Sequence, residues 1–286
     1  MWDQISAHIG QITGRSFAVS DRQSISGGSI NQAYSLSDGD RTYFVKLNQA
    51  SQVAMFEAEA LGLQQIYDTN TIRVPAPICW GIADRSAYIV LEWLDLGRGE
   101  RQAWEVMGRN LAAMHQVSSD RGFGWDQNNT IGSTPQVNTW TEDWVEFFTK
   151  HRLGYQFSLA NRQGGRFPQQ EQLLAAVPDI LAGHQPSSSL VHGDLWTGNA
   201  AVTKQGEPVI LDPATYFGDR EVDLAMSQLF GSFPANFYNA YNEVLPLAAG
   251  YQQRKVLYNL YHILNHFNLF GGSYEYQANQ MMATLL

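Results

Sequence analysis

The hydrophobic pattern of this chain changes period near Asp95–Glu100 (DLGRGE), and that change limits what it can fold into. Before it, apolar residues come in short runs bounded by turn residues, the pattern of β-strands. Residues 17–26, 32–37 and 41–47 read as strands, with a Gly27-Gly28 pair after the first and Asp38-Gly39-Asp40 as the turn before the third. Met55–Ile66 reads as a helix, because Phe56, Glu59, Leu63 and Ile66 recur at helical spacing and share one face. Glu59 therefore points with the apolar residues, whereas Glu57 points away. The two prolines of Val74-Pro75-Ala76-Pro77 forbid helix, and residues 78–83 and 86–94 read as another strand pair.

Asp95–Glu100 reads as a linker, and beyond it the pattern turns helical. Residues 101–117 carry Trp104, Met107, Leu111 and Met114 on one stripe, residues 138–156 open on an Asn138/Thr139 start signal, and residues 254–270 form a last long helix. Two short apolar runs, 189–195 and 208–214, interrupt the helices and read as a small hairpin carrying acidic residues. The expectation is an α+β, two-lobed architecture: a small antiparallel β lobe with one helix over residues 1–94, and a larger, mostly helical lobe over 95–286.

A hydrophobic content of 44% in 286 residues is enough to pack such lobes, and a net charge of −9 makes nucleic acid or an anionic membrane a poor principal partner. Cys79 is the single cysteine, so no intrachain disulfide or Cys-rich metal site is available, and it reads as a small buried group. The first ten residues lack the basic region and apolar core of a signal peptide, and no run approaches a membrane span. A cytoplasmic setting is the resulting expectation.

The chemistry concentrates in Leu190–Asn199 (LVHGDLWTGN), where four residues separate Asp194 from Asn199. Protein-kinase catalytic loops have the form H-R-D-x-x-x-x-N, in which the Asp engages the attacking hydroxyl and the Asn holds Mg²⁺. Gly193 stands here in place of the arginine. Asp212 ends the second apolar run thirteen positions after Asn199. Together these would supply one base and two hard oxygen ligands, although Asp and Asn are also ordinary turn formers. Lys46 lies inside a strand, where a lone lysine usually marks an edge, yet a strand lysine followed by the helix carboxylate Glu59 is the kinase arrangement for ATP phosphates. Gly27 and Gly28 precede that strand pair and suit a loop whose amides approach phosphates. No long activation-loop segment follows Asp212.

In their order these blocks resemble the fructosamine kinase (ketosamine-3-kinase) family, within the aminoglycoside-phosphotransferase-like branch of the protein-kinase fold. The resemblance covers nearly the whole chain and rests on GGSINQAY, FVKLN, FEAEALGL, VPAP, IGSTPQVN, LVHGDLWTGN, LDPATYFGDREVDLAM and LYHILNHFNLFG. It implies ATP- and Mg²⁺-dependent phosphorylation of the sugar 3-hydroxyl of ketosamines on amines or protein lysines, a deglycating repair activity. It further implies Asp194 as catalytic base, Lys46 on the ATP phosphates paired with Glu59, Asn199 and Asp212 on Mg²⁺, and a glycine loop of Ser26, Gly27, Gly28, Ser29, Ile30 and Asn31. Glu92, Trp93 and Leu94 would form the hinge that offers its backbone to adenine. Asp223 resembles a position that braces the catalytic loop. Rival readings are another small-molecule kinase of this fold, acting on an aminoglycoside, choline or a sugar, and a silent nucleotide-binding scaffold.

Further candidates stand around this set. His192 reads as orienting the loop rather than moving a proton. Trp196 would stack on a sugar or wall the pocket, Asp219 would face the substrate, and Glu221 reads equally well as a solvated turn residue. His262 and His266 are one helical turn apart, but without the H-E-x-x-H glutamate or a third ligand they do not read as a zinc site. With Asn265 they would line a sugar site instead, and Ser133–Asn138 (STPQVN) would close over the acceptor.

Overall fold

The computed structural model describes residues 1–26 and 30–286, so Gly27, Gly28 and Ser29 lie outside the described residues. The first half runs α1 (Trp2–Thr13), β1 (Asp21–Ile25), β2 (Gln32–Ser37), β3 (Thr42–Gln49), α2 (Val53–Asp68), β4 (Pro77–Ala83) and β5 (Ser86–Glu92). Its strands form one antiparallel sheet in the order β1-β2-β3-β5-β4. The strands expected from sequence are all present, but among the described residues the β-rich half carries two α-helices rather than one. In α1, Trp2, Ile5 and Ile9 recur at i, i+3 and i+7, and that stripe covers Leu36, Val45, Leu47, Tyr88 and Val90 on the outer face of the sheet.

The other face of the sheet belongs to α2. Strand alternation sends Val45 and Leu47 toward α1 and leaves Phe44 and Lys46 on the α2 side. On β5 the same rule gives Tyr88 and Val90 to α1, and Ala87, Ile89 and Leu91 to α2. Phe56, Leu63 and Ile66 are fully buried along the predicted stripe of α2. This core continues without a break into the helical half, where it includes Met107, Leu111, Leu190 and Ile210.

That half contains β6 (Leu96–Gly97), α3 (Arg101–His115), the hairpin β7 (Asn129–Ile131) and β8 (Thr134–Gln136), α4 (Trp144–Phe147), a π-helical stretch Phe148–Gly154, α5 (Tyr155–Arg162) and α6 (Gln170–Ile180). It continues through β9 (Ser189–Val191), β10 (Ala200–Thr203), β11 (Pro208–Ile210), β12 (Tyr216–Gly218), α7 (Glu221–Met226), α8 (Ala235–Val244), α9 (Tyr251–Phe270) and α10 (Tyr274–Leu285). Among the described residues, no helix is long and apolar enough to cross a membrane.

Three expectations are corrected here. Residues 95–100 are not only a linker, because β6 pairs with β10. The helix expected from Asn138 starts at Trp144, capped by Asp143, whose side chain accepts from the Glu146 N–H at 2.7 Å. Asn138 is instead spent inside the protein, bonded to Gln127, Asn128, Asn129 and Arg152. The runs ending in Asp194 and Asp212 do not pair with each other as a hairpin. β9 pairs with β12 and β10 with β11, because each run finds a return strand of its own.

Candidate active site

A cavity of ≈ 570 Å³ lies where the sheet meets the helical half, and Lys46, Glu59, Glu92, Asp194, Asn199 and Asp212 all line it. The Lys46 ammonium sits between two carboxylates, 2.7 Å from Glu59 Oε1 and 2.5 Å from Asp212 Oδ1. Burial alone would favour the neutral amine, but Asp212 and Glu59 outweigh it and hold Lys46 above its ordinary pKa. The contact spans 166 residues of sequence and fixes the sheet against the acidic loops. Glu59 and Lys46 are nearly buried, whereas about half of the Asp212 side chain is exposed. Asp212 also holds φ at 53°, a left-handed conformation that is uncommon outside glycine and that Asp tolerates better than most.

The loop bearing Asp194 is braced from behind. Asp223, fully buried as the third residue of α7, accepts from the His192 N–H at 2.7 Å, the Gly193 N–H at 2.8 Å and His115 Nε2 at 3.1 Å. Burial works against its ionised form, but His115 and His192 outweigh this and hold the carboxyl below its usual range. His192 donates from Nε2 to the Leu211 carbonyl at 2.8 Å and accepts the Asp194 N–H on Nδ1, which fixes one neutral tautomer. Burial lowers its pKa as well. His192 thus ties the Asp194 loop to the Asp212 strand. The kinase-loop arginine is excluded at position 193: the backbone has φ +82° there, and a Cβ would lie 2.2 Å from the Ala214 carbonyl oxygen.

Asp194 itself projects forward. Burial, with Asp212 and Asp223 nearby, pushes it up to about 7. Asn199 donates from Nδ2 to the Asp194 carbonyl at 2.9 Å and to Asp194 Oδ2 at 3.3 Å, and among the described residues its Oδ1 has no hydrogen-bond partner. Asn199 Oδ1, the Asp212 carboxylate and the Asp194 carboxylate are therefore hard oxygen donors around one space, a set that fits a divalent cation such as Mg²⁺.

Of the remaining candidates, Ser26, Ile30, Asn31, Glu92, Trp93, Leu94 and Trp196 line the same cavity. The Glu92 carboxylate is engaged by Arg73 and by the Ala76 N–H, so it anchors the end of β5 to the segment before β4 rather than pointing freely into the cavity. Asp219 does not face the cavity: it is buried, with Tyr258 Oη at 2.5 Å and His184 Nε2 at 2.6 Å from its Oδ2. Glu221 is no solvated turn residue either, since Arg254 forks onto both its oxygens at 2.7 and 2.9 Å. His184, Asp219 and Glu221 bring ligand atoms within 4.8 Å of one another, but these inward pairings already occupy them. His262 and Asn265 are buried inside α9, and neither they nor His266 line the cavity. His266 packs instead against Phe230, at 4.5 Å between ring centroids.

The cavity wall that sequence reasoning placed at Ser133–Asn138 comes from earlier residues. Asn129, Thr130 and Gly132 line it, while Gln136 and Asn138 face inward and support the hairpin. A Gly132-Ser133 pair between two short alternating runs was the available signal, since Ile131 pairs with Thr134 across it. Cys79 is buried in the core under α1, as expected.

The comparisons with known proteins agree with this geometry. The family model described as Fructosamine kinase matches residues 1–286. A Synechocystis protein named as a probable ketoamine kinase is 57% identical over 285 residues, covering 100% of this chain and 97% of that protein. The chloroplastic protein-ribulosamine 3-kinase of Arabidopsis thaliana is 45% identical over 270 residues, covering 93% and 82%. The crystal structure of a Haemophilus somnus protein assigned to the fructosamine-3-kinases superposes with a TM-score of 0.95 at 31% identity, covering 100% and 98%. An aminoglycoside phosphotransferase shares the fold, with a TM-score of 0.63 at 17% identity over 99% and 97% of the two chains. The sheet-and-helix architecture is thus that of the kinase-like phosphotransferases, and the chain belongs to the fructosamine kinase family.

Proposed function

We propose that the protein transfers the γ-phosphoryl group of ATP to the 3-hydroxyl of ketosamines, the sugar adducts of amines and protein lysines. The observation that carries this reading is Lys46 held between Glu59 and Asp212 across a cavity that also presents Asp194 and Asn199. Family membership supplies the acceptor class, and the relatives named ketoamine kinase and protein-ribulosamine 3-kinase bring it to this chain.

Phosphoryl transfer asks the protein for position and charge more than for covalent chemistry. Lys46 stays charged and meets the phosphates, and Glu59 keeps its ammonium aimed at them. Ser26, Ile30 and Asn31 face the phosphates, and the Glu92–Leu94 hinge receives adenine beside the apolar Phe44, Leu91 and Leu211. Asn199 Oδ1 and Asp212 would hold Mg²⁺, which when bound neutralises charge on the phosphate oxygens. Asp194 takes the proton of the 3-hydroxyl as that oxygen bonds to phosphorus and the bond to the ADP oxygen breaks. The proton then passes to solvent, leaving ADP and the 3-phosphate. Trp196 walls the acceptor side, while His192 orients the loop and moves no proton.

The lobe division at 94/95 belongs to the same reading, since β6 joins the sheet of the second half. So does a cytoplasmic location without nucleic-acid or membrane partners, on the −9 charge and the single buried cysteine. The test is consumption of Mg·ATP against ribulose-, erythrulose- and fructose-derived lysine adducts, with kanamycin and choline alongside. Turnover confined to the adducts is expected, and their ranking names the sugar. Activity only on kanamycin or choline moves the protein to a sister activity, and ATP binding without turnover of any acceptor leaves a scaffold.

A further inference from the structure

Arg152 is fully buried, yet among the described residues no carboxylate pairs with it. Such a cation is costly unless its hydrogen-bonding and charge are met in other ways. Here NH1 donates to the Val137 carbonyl at 2.6 Å and the His151 carbonyl at 3.2 Å, and NH2 to Asn138 Oδ1 at 2.8 Å, while Nε has no hydrogen-bond partner among the described residues. The guanidinium carbon lies 4.0 Å from the Tyr216 ring centroid and 4.6 Å from that of Phe147. Phe147 and Arg152 are five residues apart, and the π-helical stretch beginning at Phe148 brings that spacing onto one face. An ordinary α-turn would swing Arg152 away from the ring.

The contacts of Arg152 lead to the cavity wall. Asn138 donates from Nδ2 to Asn129 Oδ1 at 2.8 Å, and Asn129 donates to the Thr215 carbonyl at 2.8 Å. Gln136 Nε2 reaches Asn129 Oδ1 at 2.8 Å and the Ala214 carbonyl at 3.1 Å, while Tyr261 Oη donates to Gln136 Oε1 at 2.6 Å. Ala214 is two residues past Asp212, and its N–H donates to the His192 carbonyl at 2.8 Å. The hairpin β7–β8 is thereby tied to both acidic loops. Its tip is wedged as well: a Cβ added at Gly132 would meet Leu269 at 3.0 Å and Ile30 at 3.1 Å.

We infer that Arg152 is a positioning residue for the acceptor, fixing from inside the protein the distance between the hairpin wall and the Asp194 and Asp212 loops. The inference rests on the kinase reading above, to which it adds the assignment of the Asn129–Gly132 side of the cavity to the acceptor. A planar fork gripping a carbonyl and an amide while stacked on two rings is a task that lysine meets only in part.

The test is steady-state kinetics of Arg152→Lys with whichever acceptor the wild-type enzyme turns over best, varying acceptor and ATP separately. Choosing that acceptor keeps the outcome independent of which sugar is preferred, and a wild-type enzyme without turnover would refute the kinase reading first. Misplaced walls cost rate and acceptor binding together, so a rise of about tenfold in acceptor KM is expected with ATP KM within about twofold of wild type. Arg152→Met should be worse than Arg152→Lys. A fall in kcat with both KM values unmoved would mark a merely structural arginine and overturn the proposal. An equal rise in ATP KM would overturn it too. Should the Arg152 variants fail to fold, Tyr261→Phe removes one hydroxyl from the far end of the same chain. It is expected to raise acceptor KM about threefold with ATP KM unchanged, and an unmoved acceptor KM refutes the relay.

Discussion

Two groups of carboxylates lie within thirty residues of one another and have opposite fates. Asp194 and Asp212 face the cavity: Asp194 is met by the Asn199 amide and Asp212 by Lys46, and each keeps oxygen to spare. Asp219, Glu221 and Asp223 are buried at the start of α7 and matched by His184, Tyr258, Arg254, His115 and three backbone N–H groups. The difference is one of partnering. A carboxylate with its lone pairs filled by the protein holds structure, and one left open toward a cavity is available for chemistry. Substitution should therefore separate the groups, the first losing rate and the second losing stability.

The sharpest break is at Asp194. Asp194→Asn keeps the volume and removes the proposed base, so kcat should fall about 10³-fold while ATP affinity, by calorimetric titration, and melting temperature stay close to wild type. A parallel loss of ATP binding and stability would place Asp194 with the structural group. Glu221→Gln is the counterpart. It leaves buried Arg254 without a charged partner, and breaking such a pair costs about 3 kcal/mol or more of folding stability. Denaturant titration should record that loss, with kcat of the folded protein within about twofold of wild type.

Acid unfolding tests whether the buried carboxylates or the buried histidines give way first. Asp223 has a folded pKa held below 3.8, so its contribution persists above that value and is lost only as pH falls through the folded pKa. His262 behaves oppositely. Burial, with His266 and Arg152 nearby, lowers it from 6.5 to about 3. Between those values the unfolded chain binds a proton that the folded chain refuses, so stability should drop by about 1.4 kcal/mol per pH unit per such histidine as pH falls below 6.5. His262→Gln should flatten the slope of unfolding free energy between pH 6 and 4 by that amount. A slope unchanged in the variant would assign the acid sensitivity to other groups.

How much of this was legible in the sequence follows the range of the interactions. Lys46 and Glu59 were readable because each obeys a local rule, period two on β3 and helical period on α2, and the rules point both side chains into one space. Asp194, Asn199 and Asp212 were readable from spacing and from strand ends. α9 defeated the same logic: Leu257 through Asn265 are all buried, so periodicity has no outward face to mark, and whether His262 meets a cavity is decided by what packs on every side. Asp219 misled for a related reason, since its partners Tyr258 and His184 lie 39 and 35 residues away. Arg152 was invisible because its role depends on a π-helical turn and on side chains from other segments, Asn138, Tyr216, Asn129, Gln136 and Tyr261. The pairing of β9 with β12 rather than with the Asp212 run is also a long-range choice that local pattern does not encode.

The smallest effect refines the same contrast at one hydroxyl. Tyr258 Oη donates to Asp219 Oδ2 at 2.5 Å and accepts from Trp144 Nε1 at 3.1 Å, so Tyr258→Phe removes one partner from each neighbour. Asp219 keeps His184 and the Glu221 N–H, which limits the penalty to about 1–2 kcal/mol of stability. Melting temperature should fall by a few degrees, while kcat and both KM values remain at wild-type levels. Tyr258 stands three residues before Tyr261 on α9, and Tyr261 supports the hairpin wall. The pair thus makes an internal control: loss of the Tyr258 hydroxyl should cost stability alone, and loss of the Tyr261 hydroxyl should cost acceptor affinity. If Tyr258→Phe lowered kcat tenfold in fully folded protein, the α7 carboxylates would be coupled to the chemistry, and the division between the two acidic groups would fail.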